Sequence, residues 1–421
     1  MWDFSPSAIA GGMLRYSRIV RSLRLPPDIG DGIDDRPGAL VPSGMVTGWH
    51  LWPGFWAGPG YGRIQATLSG VYGRAFRAFD YDWRLSNRRT AAILAARVED
   101  WLSRWRAESR NPEARAVFVC HSMGGLVARY FAEVLGGHEV TRRIVTIGTP
   151  YSGSINAVRA LTGDAFTGFG RWGAELVAAA RSFPSLYQLL PSYRCVQGVD
   201  GPFGLADADV PGLDSAFVAD ALRFHDQIAG AARRNGRTDY ALNVFGGKRQ
   251  GTLQSIRKDS SGIVYLQSQR GTDYYGDGTV PAFSAVPSEW EDTSQAEFHA
   301  YRHGGLVGAK TLLDMLLDKL RPASLGEILA PSCEIGVTVP PTASAGIPVT
   351  IAATTGDELA LLMASAHDPA TGLRIAESRM RPIGGTYEAH LDLPLGVWRI
   401  EVAAVAENPV VRVDDLIVVH P

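Results

Sequence analysis

Ser122 sits where an apolar run, Ala116-Val117-Phe118-Val119-Cys120-His121, breaks and Met123-Gly124-Gly125-Leu126 begins. This spacing predicts a strand that turns through a serine directly into a helix. In such a nucleophile elbow the strained turn lifts a hydroxyl clear of the sheet. The usual pattern is G-x-S-x-G, because the residues two before and two after the serine have little room for side chains. Gly124 meets the rule and Cys120 departs from it. A thiol is small enough to keep the turn possible, and Gly125 adds clearance for the helix. Leu126, Val127, Tyr130 and Phe131 recur at helical spacing after the serine, which separates the motif from an ordinary Ser-Gly turn.

A serine hydroxyl is a poor nucleophile at neutral pH, so the elbow requires a base and an acid that orients the base. The acid expected is Asp277, in Gly276-Asp277-Gly278-Thr279-Val280-Pro281, whose glycines allow a carboxylate on a tight turn after a strand. Read alone, the segment would be a plain Asp-Gly turn; its place between an elbow serine and a histidine favours the functional reading. Two histidines compete for the base, His299 and His303. His303 falls on the loop ahead of the last helix, where an imidazole can reach both partners, whereas His299 is expected within the strand. His121 adjoins the nucleophile but is expected to point away from it. His225 and His390 read as structural or solvent-facing.

From about residue 75 to 320, apolar segments alternate with amphipathic helices, which predicts a mostly parallel sheet covered on both faces. Strands are expected at 75–79, 116–119, 144–147 and 240–245, helices at 90–106 and 306–320, and a hairpin across the turn at 259–262. Residues 151–235 look irregular and partly helical, as in a lid or cap. After Pro331 seven short alternating segments, near 335–339, 347–352, 359–366, 373–380, 386–393, 397–405 and 410–419, predict an all-β sandwich of immunoglobulin-like type. The division expected is therefore 1–330 and 332–421.

The chain has 421 residues, 46% hydrophobic and 20% charged, which is globular composition. A net charge of −2 gives no electrostatic case for a nucleic-acid partner. Cys120, Cys195 and Cys333 are too few and too scattered for a disulfide framework or a zinc site, and no metal or cofactor is implied. With no long apolar run and no signal-peptide pattern at the N-terminus, the expected location is the cytoplasm.

Taken together, Tyr81-Asp82-Trp83-Arg84, the elbow from His121 to Val127, Ile147-Gly148-Thr149-Pro150, Asp277-Gly278-Thr279-Val280-Pro281 and His303 resemble the lecithin:cholesterol acyltransferase-like lipid acyl hydrolases and transferases. The resemblance covers about residues 60–320 and leaves the sandwich outside. It implies an α/β-hydrolase fold, with triad members in the chain order Ser, Asp, His. It further implies a lipid ester substrate, usually a glycerophospholipid, whose acyl group passes through Ser122 to water or to a lipid alcohol. On this reading Ser122 is the nucleophile, His303 the general base and then acid, and Asp277 the carboxylate that holds the imidazole. The Met123 backbone N–H is one oxyanion donor. Asp82 and Trp83 are expected either to shape the substrate pocket or to serve the strand end.

Family members open with an apolar strand ending in a Pro-Gly loop that supplies the second oxyanion donor. This chain shows no such strand, so the first strand of the sheet is expected to be missing. A start site placed too far downstream is favoured over a truncation that weakens activity. The aromatic stretch Gly48-Trp49-His50-Leu51-Trp52-Pro53-Gly54-Phe55-Trp56 could touch a membrane through Trp49, Trp52, Phe55 and Trp56, or fold onto the core. The sandwich is a candidate surface for a protein partner. The alternative function is an inactive α/β-hydrolase scaffold that binds a lipid or a protein without turnover.

Overall fold

A parallel sheet whose strands end at one common edge carries the centre of the molecule. In this computed structural model the described residues are 20–32, 40, 42–47, 50–52, 56–58, 60–236, 240–260, 262–291, 293–320, 334–355, 361–404 and 412–420. A short antiparallel ribbon, β1 (His50–Trp52) and β2 (Trp56–Gly58), precedes helix α1 (Gly62–Tyr72). Helix α2 (Asn87–Ser109) follows, capped by the Ser86 side chain, which accepts from the Arg88 N–H. Then come β3 (Ala116–His121), α3 (Met123–Arg129) and β4 (Thr141–Ile147).

The region at 151–235 holds α4 (Ile155–Thr162), α5 (Gly173–Ala180), a turn of helix α6 (Pro184–Tyr187) and the long α7 (Ser215–Asn235). The pair β5 (Val196–Gly198) and β6 (Gly201–Phe203) lies within it. Next are β7 (Ala241–Gly247), the hairpin β8 (Ser255–Asp259) and β9 (Gly262–Leu266), β10 (Ala296–His299) and α8 (Lys310–Leu320). Residues 306–308 form a separate 3₁₀ turn ahead of α8, so the last helix starts later than its apolar pattern suggests.

The central sheet has the order β10-β7-β4-β3, with all three pairings parallel. Both faces are covered, as parallel strands require. On one face Ile64 and Leu68 of α1 and Leu312, Leu313 and Leu316 of α8 pack against Val145, Ile147 and Phe245. On the other, Leu94 and Val98 of α2, Leu126 and Val127 of α3, and Val218 and Ile228 of α7 join the cap residues in one cluster. Alternation sorts β3 between the two, with Val117 and Val119 facing the first and Phe118 and Cys120 the second. This sheet and its helices make an α/β-hydrolase core.

The strand expected at 75–79 does not form: residues 73–75 are a 3₁₀ turn, and 76–80 carry no ladder. A cavity of about 440 Å³, lined by Phe76, Phe79, Trp101, Trp105, Val117 and Val119 among others, lies between that segment and β3. An extended segment becomes a strand only when a neighbour satisfies its backbone groups, and here the neighbour is out of reach.

The C-terminal strands build two sheets. They are β11 (Ile335–Thr338), β12 (Thr342–Ser344), β13 (Val349–Thr355), β14 (Leu362–His367), β15 (Arg374–Arg379), β16 (Arg381–Ile383), β17 (Thr386–Leu391), β18 (Gly396–Ala404) and β19 (Arg412–His420). One sheet runs β11-β13-β17-β16 and the other β12-β19-β18-β14-β15. Ile351, Leu362, Ile400, Val402 and Ile417 fill the space between them. All pairings are antiparallel except β12 with β19. Seven of the nine match the expected segments; β12 and β16, three residues each, are too short to show an alternating pattern.

Trp49 and Phe55 of the aromatic stretch lie outside the described residues, as do the side chains of Trp52 and Trp56. Among the described residues no helix is long and apolar enough to cross a membrane.

Candidate active site

Ser122 follows the last residue of β3 and takes φ 53°, ψ −131°, a left-handed conformation that costs a non-glycine residue energy. The turn is held from below, where the Ser122 N–H donates to Ile147 O at 2.9 Å and the Thr149 hydroxyl donates to Ser122 O at 2.9 Å. Strain at this point is what projects the hydroxyl away from the sheet. The close approach falls on Gly125, where a Cβ would stand 2.1 Å from Thr149 Oγ1; at Gly124 the nearest atom, Tyr81 Oη, is 3.8 Å away. Gly125 is therefore the glycine this elbow cannot replace.

The parallel register brings Ser122, Gly148 and the residues after β7 and β10 to one edge, since His121 pairs with Ile147, Ile147 with Phe245, and Gly247 with His299. Asp277 is attached there by an isolated bridge to Gln250, in a tight turn closed by a second bridge between Gly276 and Pro281. Its Oδ1 accepts from the N–H of Thr279 at 2.9 Å and of Val280 at 2.7 Å. That leaves Oδ2 to His303 Nδ1, 2.7 Å away, while His303 Nε2 stands 2.9 Å from Ser122 Oγ. Asp277 and His303 are buried, and Ser122 is half-buried. The three expected residues thus form one hydrogen-bonded row. Such a row can draw a proton from the hydroxyl along a line fixed by a buried carboxylate.

His303 is also pinned by its backbone. Its N–H donates to Asp277 O at 2.8 Å, and its carbonyl accepts from His121 Nε2 at 3.1 Å. His121 does not lie clear of the site as the sequence reading expected; its ring packs 4.7 Å from that of His303 and meets the Tyr61 hydroxyl at 3.0 Å. The His303 carbonyl can only accept, so His121 Nε2 carries a proton; in that tautomer of the neutral ring Nδ1 accepts from the Tyr61 hydroxyl. The Tyr61 contact thus matches the tautomer that the His303 carbonyl requires.

Gly148 is the second close approach. With φ 59° it lies beneath Asp277 and His303, and a Cβ there would be 3.1 Å from both Asp277 Oδ2 and His303 Nδ1. A single glycine after a strand gives little warning of this in sequence, because its neighbours come from far along the chain.

His299 ends β10 as expected, buried and facing Phe245, with burial lowering its pKa. Asp82 binds Arg84, with 2.8 Å from Oδ1 to Nε and 2.6 Å from Oδ2 to Nη2, and both residues are buried. Arg84 also donates to Leu23 O at 2.8 Å, so this pair ties Leu23 to the segment ahead of α2. Trp83 stacks edge-on against Phe183 and borders the cavity beside β3. Cys120 borders the same cavity, and burial pushes its thiol up to about 12. Among the described residues no group of acidic, His or Cys side chains is arranged to hold a metal ion.

No curated protein matches the sequence. Among solved structures, the Tle4–Tli4 complex aligns at 17% identity and TM-score 0.44 over 56% of this chain and 66% of that one, just under two thirds. The mature form of the Bacillus licheniformis lipase BlEst2 aligns at 16% identity and TM-score 0.31 over 56% and 74% of the two chains. Its propeptide form aligns at 11% identity and TM-score 0.34 over 81% and 85%. The family model described as Lecithin:cholesterol acyltransferase matches residues 69–207, a span that contains Ser122 and stops short of Asp277 and His303. Over that elbow-bearing stretch, the chain is similar to a family of lipid acyl hydrolases and acyltransferases.

Proposed function

We propose that the protein is a serine-dependent lipid acyl hydrolase or O-acyltransferase that handles phospholipid-type esters through an acyl-enzyme on Ser122. The observation that carries this reading is the row Ser122 Oγ, His303 Nε2, His303 Nδ1, Asp277 Oδ2, with its two contacts of 2.9 and 2.7 Å. The lipid preference rests on the family resemblance of residues 69–207.

In this mechanism Ser122 Oγ attacks the ester carbonyl as its proton passes to His303 Nε2. The imidazolium is held by Asp277 Oδ2, whose partner oxygen is already bound by two backbone N–H groups. The Met123 N–H, first after the nucleophile, donates to the developing oxyanion. Collapse of the tetrahedral species expels the alcohol, which takes the proton back from Nε2, and leaves the acyl group on Ser122. Water or a lipid alcohol, deprotonated by the same nitrogen, then releases it.

The test is fatty-acid release from phosphatidylcholine vesicles by the full chain and by Ser122→Ala. Release that disappears in the variant supports the proposal, and release that survives it removes Ser122 from the reaction. Tight vesicle binding with no release by the unaltered chain would favour a binding scaffold. Among the described residues the β3 edge faces an open cavity in place of a neighbouring strand, and that is the observation on that side.

A further inference from the structure

Two loops carry the acid and the base, and both are fastened to the C-terminal sandwich. The residue before His303 is Arg302, whose side chain turns away from the site. Its Nε donates to Asp415 Oδ2 of β19 at 2.9 Å, its Nη2 pairs with the same oxygen, and its Nη1 donates to Val337 O of β11 at 3.1 Å. The guanidinium lies over Gly278, next to Asp277, where an added Cβ would be 3.2 Å from Nη1. Asp415 is itself fixed, since its Oδ1 accepts from the Leu416 N–H at 2.8 Å.

The acid side is held by Gln250, which is fully buried. Its side chain reads the backbone of β11 as a neighbouring strand would, with Nε2 donating to Ile335 O and Oε1 accepting from the Val337 N–H, both at 2.8 Å. Its backbone N–H donates to Gly276 O at 3.0 Å, one residue from Asp277. Lys248 and Arg249 next to it both pair with Glu334, at the start of β11.

We propose that the sandwich is a positioning part of the active site: through Arg302 and Gln250 it sets the separation of the loops that carry His303 and Asp277. This rests on the catalytic reading of Ser122, His303 and Asp277. Two points argue against simple glue. An exposed ion pair contributes little to stability, yet this one is largely shielded and made by the residue adjoining the base. The second anchor reaches the acid independently, through Gln250 bound to β11, the strand whose Val337 carbonyl also accepts from Arg302. A misplacement on the scale of an ångström is enough to cost about 100-fold in rate.

The experiment measures kcat and KM on p-nitrophenyl butyrate, with thermal melting, for the full chain and for Arg302→Met, Arg302→Lys, Asp415→Asn and Gln250→Met. Ser122→Ala is run beside them. Arg302→Met and Gln250→Met are expected to lower kcat about 10- to 100-fold with KM changed less than twofold. Arg302→Lys, which keeps the charge opposite Asp415, restores most of the loss. If Arg302→Met does not fold, Asp415→Asn, which keeps the side-chain shape, decides the matter by the same split. Folded variants with kcat within twofold of the unaltered chain, while Ser122→Ala is inactive, overturn the positioning role and leave the catalytic reading intact. Turnover persisting in Ser122→Ala overturns the catalytic reading and the proposal with it.

Discussion

His121 Nε2 donates to the carbonyl of His303 at 3.1 Å, so the residue just before the elbow serine holds the backbone of the residue that would take the serine's proton. Tyr61 sets that contact from the other side of the His121 ring. The account predicts that Tyr61→Phe lowers kcat on a soluble ester several-fold and His121→Ala about 10-fold, with little change in KM. The pH at which activity falls on the acid side should stay where it is, because His121 guides the base without exchanging the proton. A marked shift of that limb in His121→Ala would make His121 the base.

Gly148 gives a sharper steric test. In Gly148→Ala a methyl group enters 3.1 Å from both Asp277 Oδ2 and His303 Nδ1, at a φ of 59° that L-residues avoid. The variant should lose about 1 kcal/mol or more of stability by denaturant unfolding. It should also lose about 100-fold in kcat. Full activity with a normal unfolding curve would mean that the acid–base pair sits elsewhere.

Cys120 stands two residues before Ser122, with its thiol pushed up to about 12 by burial. Only the thiolate reacts readily. Iodoacetamide at pH 8 should therefore leave Cys120 unmodified in the native protein and label it once urea unfolds the chain, as read by peptide mass. Rapid native labelling would contradict a thiol held neutral beside the cavity under the elbow.

How much of this was legible in the chain depended on distance along it. The elbow and the choice of His303 over His299 rest on local patterns that a short window contains, and the Asp277 turn on its order in the chain between them. What the sequence hid is what distant residues impose: Gly125 against Thr149, Gly148 beneath Asp277 and His303, and Arg302 against Asp415. The segment at 75–79 shows the opposite failure. Its apolar alternation reads as a strand, yet a strand needs a partner edge, and a cavity separates it from β3. Asp82 reads in sequence as either a pocket residue or a support for the strand end, and its carboxylate pairs with Arg84 two positions on.

His225 on α7 makes stability depend on pH. It is buried, its Nδ1 is 3.1 Å from Tyr151 O, and burial lowers its pKa to about 4. The unfolded chain titrates this group near pH 6.5, so between these values the unfolded state binds more protons. Its contribution is complete above about pH 6.5 and is lost as pH falls through about 4, with a slope of up to ~1.4 kcal/mol per unit. Urea unfolding at several pH values should show this acid loss reduced in His225→Asn, whose amide keeps a donor toward Tyr151. Parallel curves for the two proteins would remove His225 as the cause.

The most direct measurement is treatment of the full chain with a fluorophosphonate, followed by peptide mass spectrometry. The account predicts a single adduct on the peptide that contains Ser122, formed far more slowly in His303→Ala and absent in Ser122→Ala. A folded chain that takes no adduct, or takes it on another residue, would contradict the assignment of Ser122 as the nucleophile.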